Sequence, residues 1–155
     1  MMSGPTQGVR GLECLIGTMH IGIPAESVKK IAEYEVVSPV PLARSGVFGL
    51  GVFDEKVIIS VALAAVDSHR VEAACRRGTR GVFLHVPQST VEWVIEVTSV
   101  MGFVQTNGTP KHPERAATPW IFDAMTEDGR AIGWVDVHGL LADLAASRPE
   151  RDPVT

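Results

Sequence analysis

Two apolar runs joined by three charged residues form the clearest pattern in the chain. Residues 47–53 read V-F-G-L-G-V-F, residues 54–56 are Asp54, Glu55 and Lys56, and residues 57–63 read V-I-I-S-V-A-L. In the second run Val57, Ile59, Val61 and Leu63 fall on one face and Ile58, Ser60 and Ala62 on the other, the period of two that marks a strand. The pattern predicts a β-hairpin turning at the charged residues. Gly49 and Gly51 leave one face of the first strand bare, so another backbone can approach there or the strand can bend.

The same alternation predicts further strands. Residues 12–23 (L-E-C-L-I-G-T-M-H-I-G-I) read as one first strand, with Leu15, Met19, Ile21 and Ile23 opposite Thr18 and His20. Residues 81–86 and 91–101 are rich in β-branched and aromatic residues. Residues 121–125 and 130–137 form a last hairpin around Asp128 and Gly129, a favoured turn pair. Asp136 is placed to cap a helix implied by Leu140, Leu141 and Leu144. Residues 64–78 read as a short helix or ordered loop stopping at Gly78, and residues 106–119 as a loop. Pro39 and Pro41 lack backbone donors, which makes their segment a stiff connector or edge. The expected layout is a flexible tail over residues 1–11, one domain over 12–145 and a disordered tail over 146–155.

Composition narrows the class. A chain of 155 residues, 45% hydrophobic and 21% charged, fits one domain, or two small subdomains packed together, with a real core. A net charge of -4 gives no reason to expect nucleic acid or an anionic membrane as a partner. The longest nearly continuous apolar run, residues 57–66, is about half of what a membrane-spanning helix needs. The N-terminal residues lack an apolar signal region, so a cytoplasmic location is expected.

Candidate chemistry is sparse. Cys14 and Cys75 make no metal-ligand spacing and read as free thiols. His20, His69, His85, His112 and His138 form no ligand pairs, and neither a nucleophile elbow nor a phosphate loop is present. No cofactor or metal is expected. Arg70, Arg76, Arg77 and Arg80 form the one basic concentration, which reads as solvated charge on a connector ahead of a docking patch. Trp93, Trp120 and Trp134 lie at strand positions and read as core.

Several short motifs in order resemble the CheW-like domain family, the adaptor fold of bacterial chemosensory arrays. Residues 49–63 are similar in length to that family's central hairpin, although its Leu-Arg-Gly turn falls on Phe53, Asp54 and Glu55, its proline on Ile59 and its aspartate on Ala62. Residues 24–31 resemble its Pro-x-x-x-Val-x-Glu-Ile segment, with Lys30 in place of the glutamate. Residues 38–41 resemble its Thr-Pro-Leu-Pro, and Gly129, Arg130, Asp136, Leu140 and Leu141 its closing motif.

The resemblance implies a mainly β fold of two small, interlocked five-stranded SH3-like β-barrels with a short C-terminal helix. It also implies a non-catalytic adaptor that binds the regulatory domain of a CheA-type histidine kinase and the cytoplasmic tip of a chemoreceptor. A second copy, or another CheW-like protein, is a further partner to expect. Carried over residue by residue, the partner surface comprises Val28, Lys30, Ile31, Val52, Phe53, Asp54 and Glu55, of which Val28, Ile31 and Val52 are equally candidates for the core. Lys30 and Asp54 reverse the family's charges, so a divergent paralogue with altered partners is the second reading. A small β-barrel enzyme or ligand binder is the third.

Overall fold

Where the sequence runs on as one apolar stretch from Leu12 to Ile23, the backbone reverses. The computed structural model describes residues 8–39, 47–63, 76–87, 89–112 and 120–146. In it the stretch is two antiparallel strands, β1 (Arg10–Ile16) and β2 (Met19–Pro24), with Ile16 paired to Met19. Gly17 takes a φ of 63° at the first turn position, the requirement of a two-residue hairpin turn with its glycine first. The alternation of side chains continues through such a tight turn, which is why the pattern alone gave one strand. β1 begins two residues ahead of the expected boundary at residue 12, and the N–H of Val9 already bonds to Thr106.

A 3-10 turn, Ala25–Ser27, leads into β3 (Val28–Pro39), which places Val28, Lys30 and Ile31 on a strand. The central hairpin forms as the pattern predicts, from β4 (Val47–Phe53) and β5 (Lys56–Ala62), with Phe53 paired to Lys56 around Asp54 and Glu55. Gly51 serves the close approach expected of it, because a Cβ there would lie 2.6 Å from the carbonyl oxygen of Glu35 on β3. Pro39 closes β3 opposite Gly49, while Val40 and Pro41 lie outside the described residues.

β6 (Arg76–Leu84) corrects the reading of residues 64–78: residues 64–75 lie outside the described set, but Arg76, Arg77 and Gly78 are already strand. Arg70 and Cys75 are outside it too. The run 91–101 is also two elements, β7 (Glu92–Glu96) and β8 (Ser99–Gln105). Between them the chain changes sheet within two residues, since Val97 donates its N–H to Arg80 on β6 and Thr98 donates to Leu15 on β1. β9 (Ile121–Met125), β10 (Ala131–Val135) and the helix α1 (Val137–Ala146) complete the fold. Asp136 caps α1 as expected, its Oδ1 accepting the N–H of Gly139 at 3.2 Å.

The strands form two five-membered sheets. β3-β4-β5-β7-β6 is a closed barrel, and the other sheet runs β8-β1-β2-β10-β9. Beyond β8, residues expected to be loop bridge back to β9, Thr106 to Thr126 and Lys111 to Asp123. The chain thus builds part of one sheet, then all of the barrel, then returns to finish the first sheet.

The core follows from this interlocking. Tyr34, Ile58, Phe83 and Val94 fill the barrel, where the Tyr34 hydroxyl also shares a 2.6 Å hydrogen bond with Ser60. The neighbouring residues Val82, Leu84 and Ile95 point to the other side of the barrel wall and join Leu12, Ile21, Ile23, Trp120, Val135 and Leu140 in one core. Strands buried on both faces tolerate few polar side chains. Trp120 and Trp134 are core, as expected. Cys14 carries a free thiol in this core, and burial, with the Glu13 charge adding to it, pushes its pKa up to about 12, so it is an inert hydrophobe.

Candidate partner-binding surface

The charged residues around the barrel separate by strand parity. On β3, Lys30, Ala32 and Tyr34 point one way and Ile31, Glu33 and Glu35 the other. Lys30 reaches over the end of the barrel, its Nζ 4.4 Å from the Phe53 ring centre and 4.8 Å from that of Phe83. Cations over aromatic faces are held there by the ring quadrupole. Glu92 collects the ammonium groups, with Lys29 at 2.8 Å and Lys30 at 3.8 Å. The Lys29 hydrogen bond is the main reason that the Glu92 carboxyl sits below its ordinary pKa.

The opposite parity makes an apolar face on the outside. Ile31 is 44% exposed, Leu50 42%, Val52 37% and Val57 57%. Register brings most of them together, because Val52 pairs with Val57 on one side and with Glu35 on the other, and Leu50 pairs with Ile59. Glu33, Glu35, Asp54 and Glu55 rim this face and are exposed. Arg80 meets Glu33 at 3.7 Å.

Of the residues expected at a partner surface, Ile31, Val52, Asp54 and Glu55 are therefore exposed. Phe53 is half-buried and packs on Phe83 with ring centres 4.9 Å apart. Val28 packs against the shared core, and Lys30 caps the barrel end. Leu50 and Val57 were missed by sequence reasoning. Period two groups residues into faces but does not say which face meets water.

The turn itself is strained. Asp54 and Glu55 have φ of 52° and 65°, the left-handed region that a two-residue hairpin of this kind demands at both positions. Glycine adopts that region freely and other residues do so at a cost of roughly 1–2 kcal/mol. Glu55→Gly is accordingly expected to raise stability by about 1 kcal/mol, measured as a higher urea midpoint with an unchanged slope. A lower midpoint would show that the Glu55 side chain holds the turn.

The first sheet carries a polar cluster that the sequence reading did not assemble, although Arg130 of the closing motif belongs to it. Glu13, 2% exposed, receives a bidentate pair from Arg130 at 2.8 and 2.9 Å and a third contact from His20 Nδ1 at 2.7 Å. Arg130 is 117 residues away in sequence. It is fixed in turn by Asp128 at 3.1 Å, whose other oxygen accepts the Thr126 hydroxyl. The Arg130 hydrogen bonds, followed by His20, hold the Glu13 carboxyl below its ordinary pKa against the effect of burial. Glu13 shares a strand face with Gly11, and Trp134 fills the space left by Gly11 and Gly22.

Among the described residues no group of three or more His, Cys, Asp or Glu side chains could hold a metal ion. The model of the CheW-like domain matches residues 10–145. The chain belongs to the CheW-like domain family. The crystal structure of the scaffolding protein TtCheW from Thermoanaerobacter tengcongensis shares the fold, with a TM-score of 0.63 at 12% identity, covering 90% of this chain and 92% of that one. None of the curated proteins searched matches the chain. The family is one of non-catalytic chemotaxis scaffolds, and membership makes this chain a chemotaxis scaffold or adaptor in general terms. Among its described residues no helix is long and apolar enough to cross a membrane.

Proposed function

We propose that this CheW-like protein is a non-catalytic, cytoplasmic adaptor that couples chemoreceptors to a CheA-type histidine kinase. Family membership across residues 10–145 supports the class. The observation that carries the surface is the exposed apolar face of Ile31, Leu50, Val52 and Val57 beside the Asp54–Glu55 turn. Exposed apolar clusters rimmed by polar residues mark interaction sites. Its partners are the kinase regulatory domain and the receptor tip, and neither nucleic acid nor membrane insertion is part of the function.

A second reading, a divergent paralogue serving as an accessory or self-associating scaffold, is favoured by the charges at Lys30 and Asp54. Where Lys30 stands in place of the family's glutamate, it is occupied with Glu92 and two aromatic rings.

Light scattering after size exclusion, with the protein alone and mixed with the regulatory domain of a chemosensory kinase from the same genome, separates the two. The adaptor reading expects a one-to-one complex at micromolar concentration. No complex would leave the paralogue reading, and concentration-dependent mass of the protein alone would support self-association.

A further inference from the structure

The charge distribution around the exposed face also says what kind of segment it accepts. On the barrel's outer side the apolar residues Ile31, Leu50, Val52 and Val57 are bordered by Glu35, Asp54 and Glu55, all exposed. Among the residues whose side chains are described, the cations nearby are turned elsewhere. Lys29 and Lys30 are drawn to Glu92 at the barrel end, and the Lys56 charge is also felt there. Arg80 pairs with Glu33 at the far margin. Lys56 follows the turn and is exposed, but by strand parity it lies on the side of β5 that carries Ile58 and Ser60, opposite Val57.

From this segregation we infer that the β3-β4-β5 face docks a protein segment whose apolar ridge is flanked by lysine or arginine. The inference rests on the reading of this face as a partner surface and adds the chemistry of the partner. An acidic flank would meet Glu35, Asp54 and Glu55 at close range, and like charges across an interface disfavour association. The same argument disfavours two copies meeting through this face, since acid would meet acid. A cationic flank gains steering from the acidic rim while the apolar residues lose their water.

The test is a binding titration of the full chain against two probes from the same genome, the kinase regulatory domain and the receptor hairpin tip, at low and high salt. With the better binder, Glu35→Lys/Asp54→Lys is expected to weaken binding at least tenfold and to flatten its salt dependence. Val52→Ser/Val57→Ser is expected to weaken it at any salt. Circular dichroism confirms that each variant is folded. If the serine pair abolishes binding while the lysine pair leaves it unchanged or tightens it, the face is a docking surface and the basic partner is wrong. If neither pair matters, or the wild type binds neither probe, the reading of the face falls and the inference with it.

Discussion

Arg130→Met is expected to lower the Tm by roughly 10 °C at pH 7, because it strands the Glu13 carboxylate inside the first sheet. The bidentate contacts at 2.8 and 2.9 Å disappear and only His20 remains beside the acid. In the wild type the Glu13 pKa is lowered, so the stability it contributes is full above its unfolded value of about 4.3 and is lost as pH falls through the lower folded value. In the variant the balance reverses. Burial now favours the protonated acid. The Tm gap between the two proteins is therefore largest at pH 7 and above and narrows as pH falls towards 5. Thermal melts from pH 5 to 8 measure this, and a gap independent of pH would show that Arg130 acts by packing alone. The double variant Glu13→Leu/Arg130→Met, which removes the buried charge together with its partner, is expected to recover most of the loss.

Two hairpins and the helix were legible in the sequence, because local rules and the fold agree there. The central hairpin was marked by period-two alternation on both sides of a charged turn, and the last hairpin by Asp128-Gly129. Asp136 and the leucines after it marked α1. What failed was segmentation. Gly17 and the junction at Val97 and Thr98 interrupt apolar runs without a proline or a polar cluster, and the signal for each is a single residue of special backbone or a change of hydrogen-bond partner. The start of β6 was misread because Arg76, Arg77 and Gly78 look like a helix end when taken locally. The proposed partner face was half legible: the exposure of the Asp54–Glu55 turn followed from its charge, whereas Leu50 and Val57 could be sorted from core only by closing the barrel. Glu13 and Arg130 lie at opposite ends of the chain, and an ion pair that spans 117 residues, with only its carboxylate buried, leaves no local trace of the pairing, although Arg130 itself stood in the closing motif.

Phe83→Ala is expected to give the largest loss of stability of any single truncation in the barrel, about 4 kcal/mol. The ring is fully buried. It meets Tyr34 and Phe53 edge-on, with centres 6.0 and 4.9 Å away, so aromatic pairing is lost along with buried area. The cavity left behind has little means of collapse, because hydrogen-bonded strands close the barrel all the way round. Val82 and Leu84, on either side of Phe83, face the core shared with the first sheet. That shared core makes the two sheets one cooperative unit, so urea unfolding of the variant is expected to remain a single transition, with Trp134 in the first sheet and the barrel strands melting together. Two separated transitions would show that the interlock is weaker than its packing implies. The effect also extends to the proposed binding face. Phe83 supports both Phe53 and Lys30, which stand next to the Asp54–Glu55 turn, and its removal loosens that turn without changing one exposed residue. Phe83→Leu, which keeps most of the volume, is expected to cost less than half as much and to leave partner binding nearly intact.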